Sequence, residues 1–221
     1  MPLHQDLTSP LSAVKPKLRG WLHLAMTPLA LVGGILLIVF APTASGKVGG
    51  AIYLACSLLL FGTSATYHRG HWGPRGEAVL RRMDHANIFL FIAGTYTPLA
   101  LMLLTGRTRA VLLTVVWSVA IAGVAFRVCW LSAPRWLYTL LYVGLGWAAV
   151  GWLRPFYESG GPLVLGLILA GGLIYSAGAL VYARRRPDPW PTWFGFHEIF
   201  HACTILAASC HFAAICLITF R

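Results

Sequence analysis

The run GPLVLGLILAGGLIYSAGALVYA, residues 161–183, contains no charged side chain and is followed directly by Arg184, Arg185 and Arg186. About 20 mainly apolar residues carry an α-helix across the hydrocarbon core of a bilayer. Arginines clustered at one end of such a run mark a cytoplasmic loop. The same pattern recurs along the chain. Apolar runs bounded by charge, Gly or Pro occur at about 20–41, 48–68, 83–105, 109–131, 134–153, 161–183 and 194–220. The reading is all-α: a seven-transmembrane helix bundle over residues 20–221, preceded by a flexible cytoplasmic arm over residues 1–19 that carries Pro2, Pro10, Pro16, Lys15, Lys17 and Arg19. The fifth run is short and rich in Gly and Trp. Pro28 and Pro98 fall inside runs, where neighbouring helices can satisfy the freed carbonyls.

Composition excludes an ordinary soluble domain. Of 221 residues, 58% are hydrophobic and 10% charged, against roughly 25% charged in soluble proteins. A net charge of +11 would suit nucleic acid only on a solvated basic face. Here the basic residues sit between hydrophobic runs, so no nucleic acid is expected and membrane lipids are the implied partner. Lys15, Lys17, Arg19, Arg69, Arg75, Arg81, Arg82, Arg127, Arg135 and Arg184 to Arg186 fall on one side of the seven-run scheme, and Lys47, Arg107, Arg109, Arg154 and Arg221 on the other. That bias puts the N-terminus inside and the C-terminus outside. The five cysteines lie in apolar runs without C-x-x-C spacing and read as small buried hydrophobes.

This orientation brings the end of run two and the starts of runs three and seven to one leaflet. Ser64, His68, Asp84, His197 and His201 are then at one depth. His197 and His201 are four apart on one helix face, which suits two imidazoles on one metal. His68 supplies a third ligand and leaves a fourth position for water, with Asp84 placed to orient that water or take its proton. Ser64 lies one turn before His68. A single histidine of this kind would be read as a packing residue. Three with an aspartate, in a chain holding six acidic residues, point to a metal site, because ionisable groups in spans are costly.

The string HEIFH, residues 197–201, also matches the zinc-protease pattern in which the glutamate is a general base. Glu198 is turned about 100° from His197, toward the site edge, a neighbouring helix or the headgroups. His211 lies about 15 Å beyond His201 along a straight helix, outside any shared ligand set. His23 has the right depth but no partner at helical spacing. His71 and His85 sit in or beside a basic loop and are read as solvated, and Arg127 as snorkelling to the inner interface.

The segments KPKLRGWLH (15–23), SATYHR (64–69), MDHANIFLFIAGTYTP (83–98) and HEIFHACTILAASCHF (197–212) together resemble the hemolysin III family of bacterial membrane proteins, which is grouped with the progestin and adipoQ receptors, the adiponectin receptors among them. The resemblance implies seven helices with the N-terminus inside and a multi-pass place in the bacterial plasma membrane. It implies zinc held by His68, His197 and His201, with Asp84 contacting the zinc-bound water and Ser64 as the serine of the first motif. The wider superfamily includes alkaline ceramidases, so a zinc-dependent hydrolase of a lipid amide or ester is implied, with a lipid substrate. The competing classes are a pore-forming haemolysin and a sensor of membrane state with a structural zinc. A secreted pore-former must first be water-soluble, which this chain is not.

Overall fold

The computed structural model describes residues 16–221, so the arm expected over residues 1–19 lies mostly outside the described residues. Its last part is tied down: the Lys17 amide donates to the Thr192 carbonyl and the Leu18 amide to that of Trp193. The chain then runs through α1 (Trp21–Phe40), α2 (Ala44–Arg69), α3 (Pro74–Leu103), α4 (Gly106–Cys129), α5 (Arg135–Gly146), a short 3-10 segment (Trp147–Trp152), α6 (Leu153–Arg184) and α7 (Phe196–Thr219). No strand occurs among the described residues beyond an isolated bridge between Trp190 and Phe194.

Helices are the expected solution, since backbone groups in lipid must be satisfied within their own segment. Among the described residues, six helical stretches are long and apolar enough to cross a membrane: Trp21–Phe40, Ala44–Arg69, Pro74–Leu103, Gly106–Cys129, Arg135–Arg184 and Phe196–Thr219. The fifth has 50 residues, and a straight helix of that length would reach about 75 Å, far beyond a hydrocarbon core of about 30 Å. It folds back on itself instead. Arg135 donates to the Tyr182 carbonyl at 3.1 Å, and the Tyr138 and Tyr182 hydroxyls are 3.5 Å apart. The bend uses the 3-10 segment and Gly161, whose φ of 82° breaks α6 just before Pro162. Few residues other than glycine adopt that conformation.

The central helix is α3. It is buried along most of its length and packs between α2 and α4, with α7 also against it. Phe89, Phe91 and Leu99 join Leu112 and Val116 of α4 and Ile215 of α7 in the core. Apolar side chains on the outside, such as Val32, Phe40, Ile121, Leu163, Leu173 and Leu206, are exposed, as lipid-facing residues are. The α3 helix begins nine residues before the apolar run that marks it in the sequence, because Pro74 at its first turn and Glu77 near its positive end suit a helix start.

Candidate metal centre

Three helix ends converge. The last turns of α2 carry Ser64 and His68, α3 carries Asp84 above its charged start, and the first turns of α7 carry His197 and His201. The start of α7 is firmly fixed. Glu198 accepts from the Gly195 amide at 2.9 Å and Asp188 from the Phe196 amide at 3.0 Å, capping two otherwise unpaired donors. The other oxygen of Glu198 pairs with Arg19, from the segment leading into α1. Glu198 is fully buried and is occupied as a cap and ion-pair partner. Just before α1, Gly20 has φ 82°, and a Cβ there would stand 2.8 Å from Cβ of His68. That glycine lets the chain cross directly over the site.

The Nε2 atoms of His68 and His197 are 3.2 Å apart. One ligand nitrogen from each of His68, His197 and His201 falls within 4.8 Å of the others. Two nitrogens on one tetrahedral zinc, each at about 2.0–2.1 Å, would be about 3.4 Å apart, so the three residues fit a single cation with little movement. The donor set is all imidazole, which suits zinc and also copper, nickel or iron. Asp84 Oδ2 is 3.7 Å from His68 Nε2, beside the cluster, and Ser64 lines the same end of the site as Asp84. The structure thus brings together all five residues picked out in the sequence.

Other residues depart from expectation. His23 stacks on His201, and Phe61 presents its edge to His23; equal depth was the only sequence signal. His85 is half-buried and not freely solvated, because the longer α3 places it in the helix body. Its Nδ1 is 2.8 Å from the Arg81 carbonyl and its Nε2 3.5 Å from the Tyr182 hydroxyl. The helix-start signals at Pro74 and Glu77 could have found it. Arg127 does not snorkel: it is 1% exposed and lies over the Tyr138 ring at 4.4 Å. Among the cysteines, Cys56 is buried, whereas Cys129 is exposed.

Behind the cluster lies a cavity of about 120 Å³, lined by His23, Ser64, Asp84, His197 and His201 at one end and bounded largely by α3, α5, α6 and α7. Its middle is apolar, with Leu60, Phe91, Leu99 and Ile168 on the walls. Lining residues on α7 run from His197 to His211, about 21 Å along a helix. The shape is that of an elongated apolar chamber with a polar, metal-competent end.

The haemolysin-III related family profile matches residues 11–212. Hemolysin-3 of Bacillus cereus is 35% identical over 161 residues, covering 72% of this chain and 73% of that protein. A Hemolysin-3 homolog of Bacillus subtilis (strain 168) is 29% identical over 171 residues, covering 76% and 80%. The adiponectin receptor protein of Drosophila melanogaster is 26% identical over 226 residues, covering 88% of this chain and 48% of that protein. With its apolar helices and a profile match over most of its length, this multi-pass membrane protein belongs to the haemolysin-III family.

Proposed function

We propose that the chain is a zinc-dependent hydrolase of a lipid amide or ester, working at the cytoplasmic end of a seven-pass bundle whose N-terminus is inside and C-terminus outside. The observation that carries this reading is the position of three convergent imidazoles at the polar end of an elongated apolar cavity. A headgroup linkage would sit at the polar end with its chain in the chamber, where burial stabilises by about 0.8 kcal/mol per methylene. The fold-back of residues 135–184 supports two passes there. Lys17, Arg19, Arg69, Arg75, Arg81, Arg82, Arg135 and Arg184 to Arg186 lie in the first or last few turns of helices or in the connections at the site end, which supports the orientation.

Zinc bound by His68, His197 and His201 would polarise the scissile carbonyl and favour ionisation of a nearby water. The rest of the chemistry belongs to Asp84 and Ser64. Asp84 accepts a proton from the water that attacks the carbonyl carbon, and the carbon–nitrogen or carbon–oxygen bond then breaks. The same proton passes to the departing amine or alkoxide, which leaves Asp84 ionised again. Ser64 would donate to the Asp84 carboxylate and hold it facing the cluster.

The adiponectin receptor among the relatives favours a second reading, a membrane-state sensor in which the metal ties α2 to α7. Purified protein incubated with N-acyl and O-acyl lipids separates the two. Fatty acid released in an Asp84-dependent manner supports the hydrolase, and retained metal without release supports the sensor. Dye leakage from liposomes would instead indicate a pore.

A further inference from the structure

Beyond the metal-competent end, the cavity has a second polar pole. His211 lies ten residues after His201, about 15 Å along α7, and lines the same chamber with Tyr175 of α6. Its Nε2 is 3.2 Å from the Ile168 carbonyl. A carbonyl only accepts, so that nitrogen carries the proton and Nδ1 is left as an acceptor. Nδ1 of His211 is buried without a partner, as is the Tyr175 hydroxyl, and the two rings are 5.7 Å apart.

Between the poles several polar side chains are paired, while the Thr139 hydroxyl, which also lines the chamber, is not. Thr95 donates to the Phe91 carbonyl, Ser176 to that of Gly172 and Thr204 to that of Phe200. The fold also makes room for the far pole, since a Cβ at Gly171 would run into the His211 imidazole. Buried polar atoms are costly unless something satisfies them. The pair requires a group that donates to Nδ1 of His211 and also accepts from Tyr175. A hydroxyl does both without bringing a charge into an apolar chamber, whereas a ketone or carboxylate cannot donate.

We propose that Tyr175 and His211 form a subsite for a hydroxyl carried on the hydrocarbon chain of the bound lipid. This rests on the reading of the cavity as a lipid-chain site. The selected ligand would be a fatty acyl chain whose hydroxyl lies well down the chain from the linkage held at the histidine cluster.

The test is displacement of a bound fluorescent fatty acid from the full-length protein by stearic acid and by mid-chain hydroxystearic acids. The expected result is that one hydroxy isomer binds roughly tenfold more tightly than stearic acid, the ratio that one well-made hydrogen bond gives. Tyr175→Phe and His211→Gln should each abolish that preference, read within each variant as the ratio of hydroxystearic to stearic acid affinity. The glutamine keeps a donor for the Ile168 carbonyl and moves its acceptor, the amide oxygen, away from the Nδ1 position. Equal affinity for every acid in the unaltered protein, as a trapped water at the pole would give, overturns the proposal, and so does a preference that survives in both variants. Failure of all the acids to displace the probe overturns it together with the lipid-chain reading of the cavity.

Discussion

His23 lies flat against His201, with ring centroids 3.8 Å apart and planes 5° apart. Through this contact α1, which supplies none of the three candidate metal ligands, forms a wall of the metal centre. Both nitrogens of His23 are buried without partners, so its ring serves the site as a flat surface supporting a ligand. Second-layer support of this kind typically alters metal affinity by about 10 to 100-fold.

His23→Phe should therefore keep the stack and hold metal about as well as the unaltered protein. It removes two unsatisfied polar atoms, so stability should be equal or higher. His23→Ala should open a gap beside His201 and weaken metal binding by about 10 to 100-fold. Metal titrations of the two variants decide it. Equal metal loss in both would mean that the nitrogens of His23 are in use.

The pair between the partly exposed Arg19 and the buried Glu198 couples the lead-in to α1 with the first turn of α7. Arg19→Ala leaves a buried carboxylate without its counter-ion and should cost about 3 kcal/mol of stability. Glu198→Gln preserves an acceptor for the Gly195 amide and should cost less, with metal retained. Thermal unfolding of both single variants and the double variant checks this. Strict additivity would show that the two side chains are not coupled, while loss of hydrolysis with metal retained in Glu198→Gln would give that residue a chemical role.

Arg154 and Arg185 flank the main part of α6, so the seven-pass reading puts them on opposite sides of the membrane. Cysteines introduced at these positions in a cysteine-free background should react with an impermeant maleimide from opposite faces, that at residue 154 from outside. Labelling of both from one face would show that α6 does not cross, and the termini would then share a compartment.

The sequence exposes what depends on local pattern. Uncharged runs and their flanking arginines mark most helices to within a few residues, and four-residue spacing places His197 and His201 on one face. Depth alone brings in His68, Asp84 and Ser64, since helix ends on the same leaflet must meet in a small bundle. The early start of α3 is obscured because Arg75, Arg81 and Arg82 interrupt the apolar pattern while leaving helical geometry intact. Helix rotation is not written in a local pattern. For that reason neither the stacking of His23 nor the burial of Arg127 against Tyr138 is apparent until α1 and α5 are in place. The partnership of Arg19 with Glu198 spans nearly the whole chain and leaves no periodic trace.

In the proposed function His68, His197 and His201 bind one zinc while Asp84 acts beside it. The most direct measurement is the metal content of His68→Ala, His197→Ala, His201→Ala and Asp84→Asn, at equal yield of folded protein, together with fatty acid release from an N-acyl lipid. The expected result is about one zinc per chain in the unaltered protein, loss of zinc in each histidine variant, and retention in Asp84→Asn with release reduced by roughly 10² to 10⁴. Zinc retained in all three histidine variants would contradict the site, and zinc lost in Asp84→Asn would make that carboxylate a ligand.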